Sequence, residues 1–271
     1  MAFELETYKR AVQPVKIDDI DFDGFRERPL SAQALRSLHY MADVETHTVC
    51  YLRDLLVTPS HQNPRITTFL TMWNYEEYWH GEVIDRILGV HGEDHGPGRA
   101  RTVRRTQGIA NVVSPITQCL TAAAIGEDFI ATHMSWGAIN EWSTHAAYAR
   151  LIERENHPVL TTVLRRIMRQ ETRHVAFYTS EARARLARSA RARRFTRWAL
   201  RTRWRPVGST VMPRSETTFL LGYLFGDENG RGVVGDLDHK IDRLPGLGGL
   251  GLVSRAVGRF GPRPGDLPDA A

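Results

Sequence analysis

Two short motifs of this 271-residue sequence carry the most information about its fold: Glu77-Tyr-Trp-His80 and Glu171-Thr-Arg-His174. Each places a carboxylate and an imidazole three residues apart, and no other Glu-x-x-His occurs in the chain. On a helix, three residues rise by about 4.5 Å and stay on one face, so the two side chains of each pair share a side. Both pairs lie within apolar stripes at helical spacing, which predicts that they face a core.

Around these motifs, apolar residues recur every three or four positions in four long segments, which predicts four amphipathic helices. The segments run from Ser31 to Pro59, from Pro64 to Gly92, from about Ser114 to Asn156, and from Pro158 past Tyr178. Residues 92–114 are interpreted as a long loop or a poorly packed crossover. Since no convincing strand is present, the predicted fold is all-α, a four-helix bundle with one long connection.

The segments that flank the bundle differ from it in composition. Residues 1–30 alternate charge with Pro and Gly, which indicates an extended N-terminal arm. The bundle and an Arg-rich extension of its fourth helix occupy residues 31–205. Residues 206–271 are predicted to pack on the same domain as additional C-terminal helices, around 214–227 and 230–243, followed by a Gly/Pro-rich tail from Pro245.

Composition and charge narrow the class of protein. With 42% apolar and 25% charged residues, the chain has an ordinary globular composition. No segment has the roughly 18 consecutive apolar residues of a membrane span, and no secretory signal is visible. The two cysteines are isolated in the sequence, which suits the reducing cytoplasm.

The net charge of +5 is unevenly distributed along the chain. Residues 165–205 hold 14 Arg, no Lys and two Glu, for +12, and the remaining residues sum to −7.

Two further glutamates interrupt the apolar stripes of the first and third helices, Glu45 and Glu141. Four carboxylates in one core would each cost several kcal/mol without a partner, and the stripes offer no cations. Two divalent metals would offset the four charges. One Glu from each of two helices plus Glu-x-x-His from the other two is the ligand set of ferritin-like dimetal proteins. The predicted metal ligands are Glu45, Glu77, His80, Glu141, Glu171 and His174. Their chemistry suits iron, with manganese as the alternative.

The same segments resemble the soluble acyl-carrier-protein desaturases of the ferritin-like superfamily, over about residues 36–185. Glu76-Glu77-Tyr-Trp-His80-Gly81 is similar to that family's EENRHG, Gln170-Glu171-Thr-Arg-His174 to its DEKRH, and Asn140-Glu141-Trp-Ser-Thr144 to its QERAT. The family has an acid before each Glu-x-x-His; Glu76 matches this pattern and Gln170 departs from it.

The resemblance implies a particular activity. Two irons bound by the six ligands would use O₂ to introduce a cis double bond into an acyl chain carried on acyl-carrier protein, with electrons from a ferredoxin-like donor. It implies that Thr144 supplies a catalytic hydroxyl that helps deliver a proton, although a helical Thr also commonly bonds the carbonyl one turn earlier. It further implies a homodimer. Phe69, Trp73, Met134 and Leu164 would line an acyl channel or be ordinary core.

Other functions remain open at this stage. One alternative is a dimetal N-oxygenase or hydroxylase acting on a free small molecule, and a second is a non-catalytic ferritin-like iron-handling protein. A nucleic-acid-binding helical protein would leave the core glutamates unexplained.

The Arg-rich segment Arg183–Arg205 is interpreted as continuing the fourth helix away from the motifs. It is predicted to dock the acidic carrier protein or the ferredoxin-like donor, because complementary charge steers association. Nucleic acid, an anionic membrane surface and a solvated face are the competing interpretations.

Overall fold

The computed structural model describes residues 3–261, and this part of the chain contains twelve α-helices, one short 3₁₀ helix (Pro59–Gln62) and no strand. The prediction of an all-α chain is confirmed. The helices are α1 (Leu5–Ala11), α2 (Gly24–Glu27), α3 (Ala32–Leu56), α4 (Pro64–Val90), α5 (Pro97–Thr106), α6 (Gly108–Ile125), α7 (Asp128–Glu155), α8 (Pro158–Arg188), α9 (Ala190–Arg203), α10 (Arg214–Phe225), α11 (Glu228–Asp242) and α12 (Leu252–Phe260).

Four long helices, α3, α4, α7 and α8, enclose the core. Short connections make α3 antiparallel to α4 and α7 antiparallel to α8, and α4 also contacts α8.

The ends of these four helices follow local sequence signals. Ser31 caps α3 by accepting the backbone N–H of Ala34, and α4 and α8 each begin with a proline at the first helical position. Asn156 ends α7 in the left-handed region (φ 46°).

The connection between the second and third long helices differs from the prediction. Of the two interpretations of residues 92–114, the loop is wrong, because most of the segment is helical in α5 and the start of α6. The segment is a helical crossover, and α5 has no buried residue. The helix expected from about Ser114 to Asn156 is two helices. Gly126 has a φ of +73°, a conformation that L-residues rarely adopt, so it ends α6, and α7 starts two residues later.

The Arg-rich extension also differs from the prediction. α8 ends at Arg188, and Ser189 caps a separate helix, α9, by accepting the N–H of Ala192 (3.0 Å). Midway along α9, Thr196 bonds Thr132 of α7 (2.9 Å), and Trp204, just after the end of α9, bonds Asn140 further along α7 (3.2 Å). α9 therefore runs parallel to α7 and returns towards the motifs. The prediction of a continuous helix leading away from them is wrong, because a hydroxyl cap reverses the chain without Gly or Pro.

The terminal segments pack against the long helices. The N-terminal arm is not extended throughout, since it contains α1 and α2 and buries Tyr8 and Phe25 in the core. α10 contacts α3 and α7, α11 contacts α7, and α12 packs on α10 and α11. α12 lies within the segment expected to be a Gly/Pro-rich tail, and the end of that tail, residues 262–271, lies outside the described residues.

By length and composition, no single helix among residues 3–261 is sufficient to cross a membrane. One bent pair meets both criteria jointly: α5 and the Asn111–Ile125 part of α6, which are inclined by 65° at their break.

Candidate metal centre

The four long helices bring all six predicted ligands together in the core, where none is more than 6% exposed. They form two overlapping groups, and within each group the candidate ligand atoms lie within 4.8 Å of one another. Glu77 and Glu171 belong to both groups. We call Glu45 and His80 the first half-site, Glu141 and His174 the second half-site, and Glu77 and Glu171 the shared glutamates.

Both histidines direct Nδ1 towards the shared glutamates. His80 Nδ1 lies 3.2 Å from Glu171 and 3.8 Å from Glu77, while His174 Nδ1 lies 3.1 Å from each. The contacts within each motif, His80 with Glu77 and His174 with Glu171, follow from the i, i+3 spacing on one helix. The other two contacts join α4 to α8 and depend on how these helices pack. The two imidazoles therefore face one cluster of carboxylates from opposite helices.

The other nitrogen of each imidazole contacts a different kind of partner. His80 Nε2 lies 2.9 Å from Oε1 of Gln170, whose amide donates to the backbone carbonyl of Gln13 (3.0 Å). His174 Nε2 lies 2.9 Å from Oε2 of Glu76. Such outer partners fix the ring orientation and the nitrogen that is free to bind a metal. Both backing residues are the ones that precede a Glu-x-x-His motif.

Glu76 is itself held by two further groups. The Tyr8 hydroxyl donates to it at 2.8 Å and Arg173 at 2.6 Å. Burial opposes ionisation of this carboxyl, but His174, Arg173 and Tyr8 outweigh burial and lower the pKa of Glu76. The second half-site is therefore backed by an ionised carboxylate, and the first by a neutral amide.

The unshared glutamates are each oriented by one donor from another helix. The Tyr148 hydroxyl of α7 donates to Glu45 of α3 at 2.5 Å, and the Trp73 indole N–H of α4 donates to Glu141 of α7 at 2.9 Å. These bonds hold the two carboxylates in place from outside the cluster.

Packing four carboxyls together changes their ionisation. Burial, followed by the charges of neighbouring glutamates, raises the pKa of Glu77 and Glu141 well above the ordinary value. Burial also opposes ionisation of Glu171, but the hydrogen bond from His174 and the close imidazole of His80 outweigh it and place the pKa of Glu171 well below the ordinary value. Burial opposes protonation of the histidines, yet the surrounding carboxylates raise the pKa of both.

Unsatisfied polar atoms test whether these residues fit a metal. Glu77 Oε1, His80 Nδ1 and Glu171 Oε1 are buried and make no hydrogen bond of good geometry. They nevertheless lie within the cluster, with His80 Nδ1 3.2 Å from Glu171 Oε1 and His174 Nδ1 3.1 Å from Glu77 Oε1. Buried polar atoms are rarely left unpaired in native proteins, and oxygen and imidazole donors together suit divalent transition metals. The clusters could hold metal ions, and the residues fit that role.

An apolar cavity of about 70 Å³ adjoins the first half-site. Its lining includes Glu45 from α3, Thr144, Ala147 and Tyr148 from α7, Trp204, and apolar side chains of α10–α12. Ser143 donates to the Ile139 carbonyl one turn earlier (2.8 Å), whereas no such bond of Thr144 occurs among the described residues. The C-terminal helices, whose role had no motif to indicate it, thus form one wall of this cavity.

The residues considered for an acyl channel lie elsewhere. Phe69 stacks on Phe177 with ring centroids 3.7 Å apart, and Trp73 binds Glu141. Met134 and Leu164 are fully buried, and none of the four candidates lines the cavity. The structure thus places these residues in the ordinary core.

The arginines of Arg183–Arg205 are not equivalent. Arg193 donates to the Leu186 carbonyl (2.8 Å), and Arg197 donates to the Gly248 carbonyl (2.7 Å), so both tie α9 to neighbouring backbone. The exposed members of the segment are Arg183, Arg188, Arg191, Arg194, Arg201 and Arg203. These six are the most accessible arginines of the segment, whereas the others are half-buried.

Some residues of the centre could not have been selected from sequence motifs. Tyr8 and Gln13 belong to the N-terminal arm, where no pattern marks them. Tyr148 had a usable signal, since it lies seven residues after Glu141 on the same face of α7.

No family model, curated protein or solved structure matches the chain. The resemblance to the desaturases therefore depends on the short motifs and their order.

Proposed function

We propose that this protein is an oxygen-dependent diiron oxidoreductase, built on a ferritin-like four-helix bundle, that introduces a cis double bond into an acyl chain carried on acyl-carrier protein. The observation that carries the proposal is the pair of overlapping buried ligand groups with Glu77 and Glu171 in common. The apolar cavity beside Glu45 and Thr144 supports an apolar substrate.

The six ligands would hold two iron ions, with manganese as the alternative. Bound iron supplies the oxidising chemistry towards an unactivated methylene that no side chain provides. In the overall reaction, two adjacent carbons each lose one hydrogen. O₂ accepts these two hydrogens together with two electrons and two protons, and two waters form. The electrons come from a ferredoxin-like donor.

The chain's own residues would orient the ligands, exclude water and move a proton. Tyr148 and Trp73 hold the unshared glutamates, while Gln170 and Glu76 keep Nδ1 of each histidine towards the cluster. Apolar cavity walls would keep water from the substrate. Thr144 Oγ1, on the wall nearest the first half-site, would donate a proton.

Exposed arginines supply a docking face for an acidic carrier protein or electron donor. Arg194 and Arg201 lie on the exposed side of α9, whose last turn leads to Trp204 on the cavity wall. Reversing both to Glu should raise KM for the carrier-bound substrate at unchanged iron content, because rim charges steer encounter. Arg231→Glu, an exposed reversal on α11, is the matched control, and equal KM values for both variants would remove the docking role.

One observation favours a second candidate, a dimetal N-oxygenase or hydroxylase that acts on a free small molecule. The cavity volume of about 70 Å³ is about half that of an apolar cavity of about 150 Å³ that accommodates benzene. This volume suits a compact substrate better than a full acyl chain in the observed conformation.

A product assay distinguishes the candidates. Iron-loaded protein with O₂ and a reducing system should convert an acyl-carrier-protein thioester to a monoene, detected by mass spectrometry, and Glu171→Ala should abolish the product. Oxidation of free amines or acids with the thioester untouched would favour the second candidate. Iron uptake without any oxidised product would indicate the iron-handling alternative, and protein that binds neither iron nor manganese would overturn the metal centre.

A further inference from the structure

Helix α6 has its apolar side chains on the outside. Ile109, Val112, Ile116 and Leu120 are 81, 67, 57 and 68% exposed, and Val113 beside them is 43% exposed. Their spacing of three and four residues places them on one face of the helix. α6 contains no charged residue in its 18 positions. The solvent-facing side of this helix is therefore apolar and uncharged.

The inward side of α6 is more polar than the outward side. Ser114 donates to Asp54 of α3, and just before the helix Gln107 donates to the Val211 carbonyl (2.7 Å). A helix on the surface of a globular protein normally directs its apolar stripe to the core, so this arrangement is reversed. Val49 and Leu56 of α3, the helix against which α6 packs, are also about half exposed and add to the apolar surface. Exposed apolar surface of this kind marks an interaction site.

The charge around this surface indicates its partner. Residues 97–126 contain four arginines and no acidic residue. Arg99 is paired with Asp43, and Arg104 donates to the Thr46 carbonyl, whereas Arg101 and Arg105 are exposed on α5. A basic helix thus leads directly into an uncharged apolar one.

We propose that α5 and α6 dock this protein on the surface of an anionic lipid bilayer. The apolar face of α6 would lie at the boundary between headgroups and acyl chains, and Arg101 and Arg105 would bind headgroup phosphates. The arginines of α5 keep the pair on the surface, since charged side chains are costly at the bilayer centre. A second copy would present the same acid-free surface and would supply no opposite charge. The proposal is independent of the metal centre.

Vesicle co-sedimentation of the full chain tests the proposal. The protein should bind vesicles of phosphatidylcholine with phosphatidylglycerol, bind phosphatidylcholine alone far more weakly, and dissociate as salt increases. The combined substitution of Val112, Ile116 and Leu120 by Gln should weaken binding by at least about a hundredfold. Substituting Arg101 and Arg105 by Gln should weaken it by about thirtyfold. The control variant carries Tyr75→Gln and Tyr78→Gln, which replace two exposed aromatic residues on α4, outside the proposed surface. It should bind vesicles like the wild type.

Several outcomes would overturn the proposal. The proposal is wrong if the wild type does not bind anionic vesicles, or if it binds neutral and anionic vesicles equally. It is also wrong if the α5 variant and the α6 variant both bind anionic vesicles as tightly as the wild type. A wild-type dimer that the α6 substitutions convert to a monomer, without vesicle binding, would assign the surface to a second copy. Association with an acidic carrier protein in place of vesicles would assign it to that partner.

Two measurements show whether a loss of vesicle binding has another cause, misfolding of the variant or damage to the metal centre. The melting temperature and iron content of the α6 variant should equal those of the wild type, because the substituted side chains are exposed. If that variant does not fold, the α5 variant provides the test. Glu171→Ala should bind vesicles like the wild type, so failure of the proposed enzyme activity leaves this inference standing.

Discussion

The two half-sites of the candidate metal centre use the same ligand types in different surroundings. His80 of the first is backed by the neutral amide of Gln170, and His174 of the second by the ionised carboxylate of Glu76. Glu76 in turn pairs with Arg173, which is 30% exposed at the protein surface. The comparison shows that two half-sites with the same ligand types can differ in the hydrogen-bond partner of the histidine. That partner influences how strongly the imidazole binds a metal.

The surroundings also divide the centre spatially. The apolar cavity reaches Glu45 of the first half-site, whereas a buried charge network connects the second half-site to the surface. A substrate without charge is accommodated best on the first side. Protons or electrons that enter or leave the centre are accommodated best on the second side, where the ion pair of Glu76 with Arg173 can balance their charge. Four substitutions test this division, in order of decreasing expected effect.

The largest effect should come from the shared glutamates. Glu171 belongs to both ligand groups and contacts both histidines, whereas Glu45 belongs to one group. We expect Glu171→Ala to reduce bound iron from about two ions per chain to near zero, and Glu45→Ala to leave about one. Elemental analysis of purified protein measures this difference. Equal iron contents in the two variants would show that the half-sites are not linked through Glu171.

The second prediction exchanges the backing group of one half-site. Glu76→Gln should give His174 a neutral partner like that of His80, so metal affinity at the second half-site should fall by about 10–100-fold. Metal titration should then resolve one weakened and one unchanged site. Unchanged affinity at both sites would show that the backing carboxylate has no influence on the metal.

The reverse exchange, Gln170→Glu, is not equivalent. The Gln170 amide donates to the backbone carbonyl of Gln13, and a carboxylate at this 6% exposed position could not donate. One carboxylate oxygen would still contact His80, but the oxygen that replaces the amide would face the Gln13 carbonyl with no donor between them, which should lower the free energy of unfolding by about 1–3 kcal/mol. Gln170, where the desaturase pattern has an acid, therefore fits its surroundings, because the Gln13 carbonyl of the N-terminal arm needs a donor at this position.

The burial of the six candidate ligands could be predicted from sequence because it depends on local geometry. The i, i+3 motifs and the helical period place each carboxylate on a core face, and no long-range information is needed. Tyr8 and Gln13 could not be predicted, because their contacts join the arm to residues 68 and 157 positions away. Nothing in the spacing of a helix specifies which distant hydroxyl or carbonyl approaches it.

The sequence predicted helix in much of α6 and throughout α9, but it missed that both are separate helices, for different physical reasons. The apolar stripe of α6 faces solvent, so its sequence lacks the usual relation between apolar residues and a core. The reversal between α8 and α9 occurs at Ser189 through a hydroxyl cap, a weaker signal than Gly or Pro. The cavity wall was missed as a consequence, since α9 returns the chain to Trp204 and the C-terminal helices beside it.

The third prediction fills the cavity at the first half-site. Ala147→Phe places an aromatic ring in this space, while Ala149→Phe adds the same ring at an exposed position of the same helix. We expect the Ala147 variant to lose activity by at least about tenfold with unchanged iron content, because added volume excludes the substrate. Steady-state turnover and elemental analysis measure the two quantities. If the Ala149 variant loses as much activity, the cavity does not bind the substrate.

The smallest effect should follow Tyr8→Phe, which removes one of the donors to Glu76. Because Arg173 and His174 still contact the carboxylate, it is not left unpaired, and we expect a loss of about 1–1.5 kcal/mol in the free energy of unfolding. Metal affinity at the second half-site should change only a few-fold, which titration and thermal unfolding together measure. Tyr223→Phe removes a hydroxyl that donates to Glu155 outside the centre, so it should lower stability without changing metal affinity. If Tyr8→Phe weakens the second half-site as much as Glu76→Gln does, the hydroxyl and not the ion pair with Arg173 holds Glu76 in its functional position.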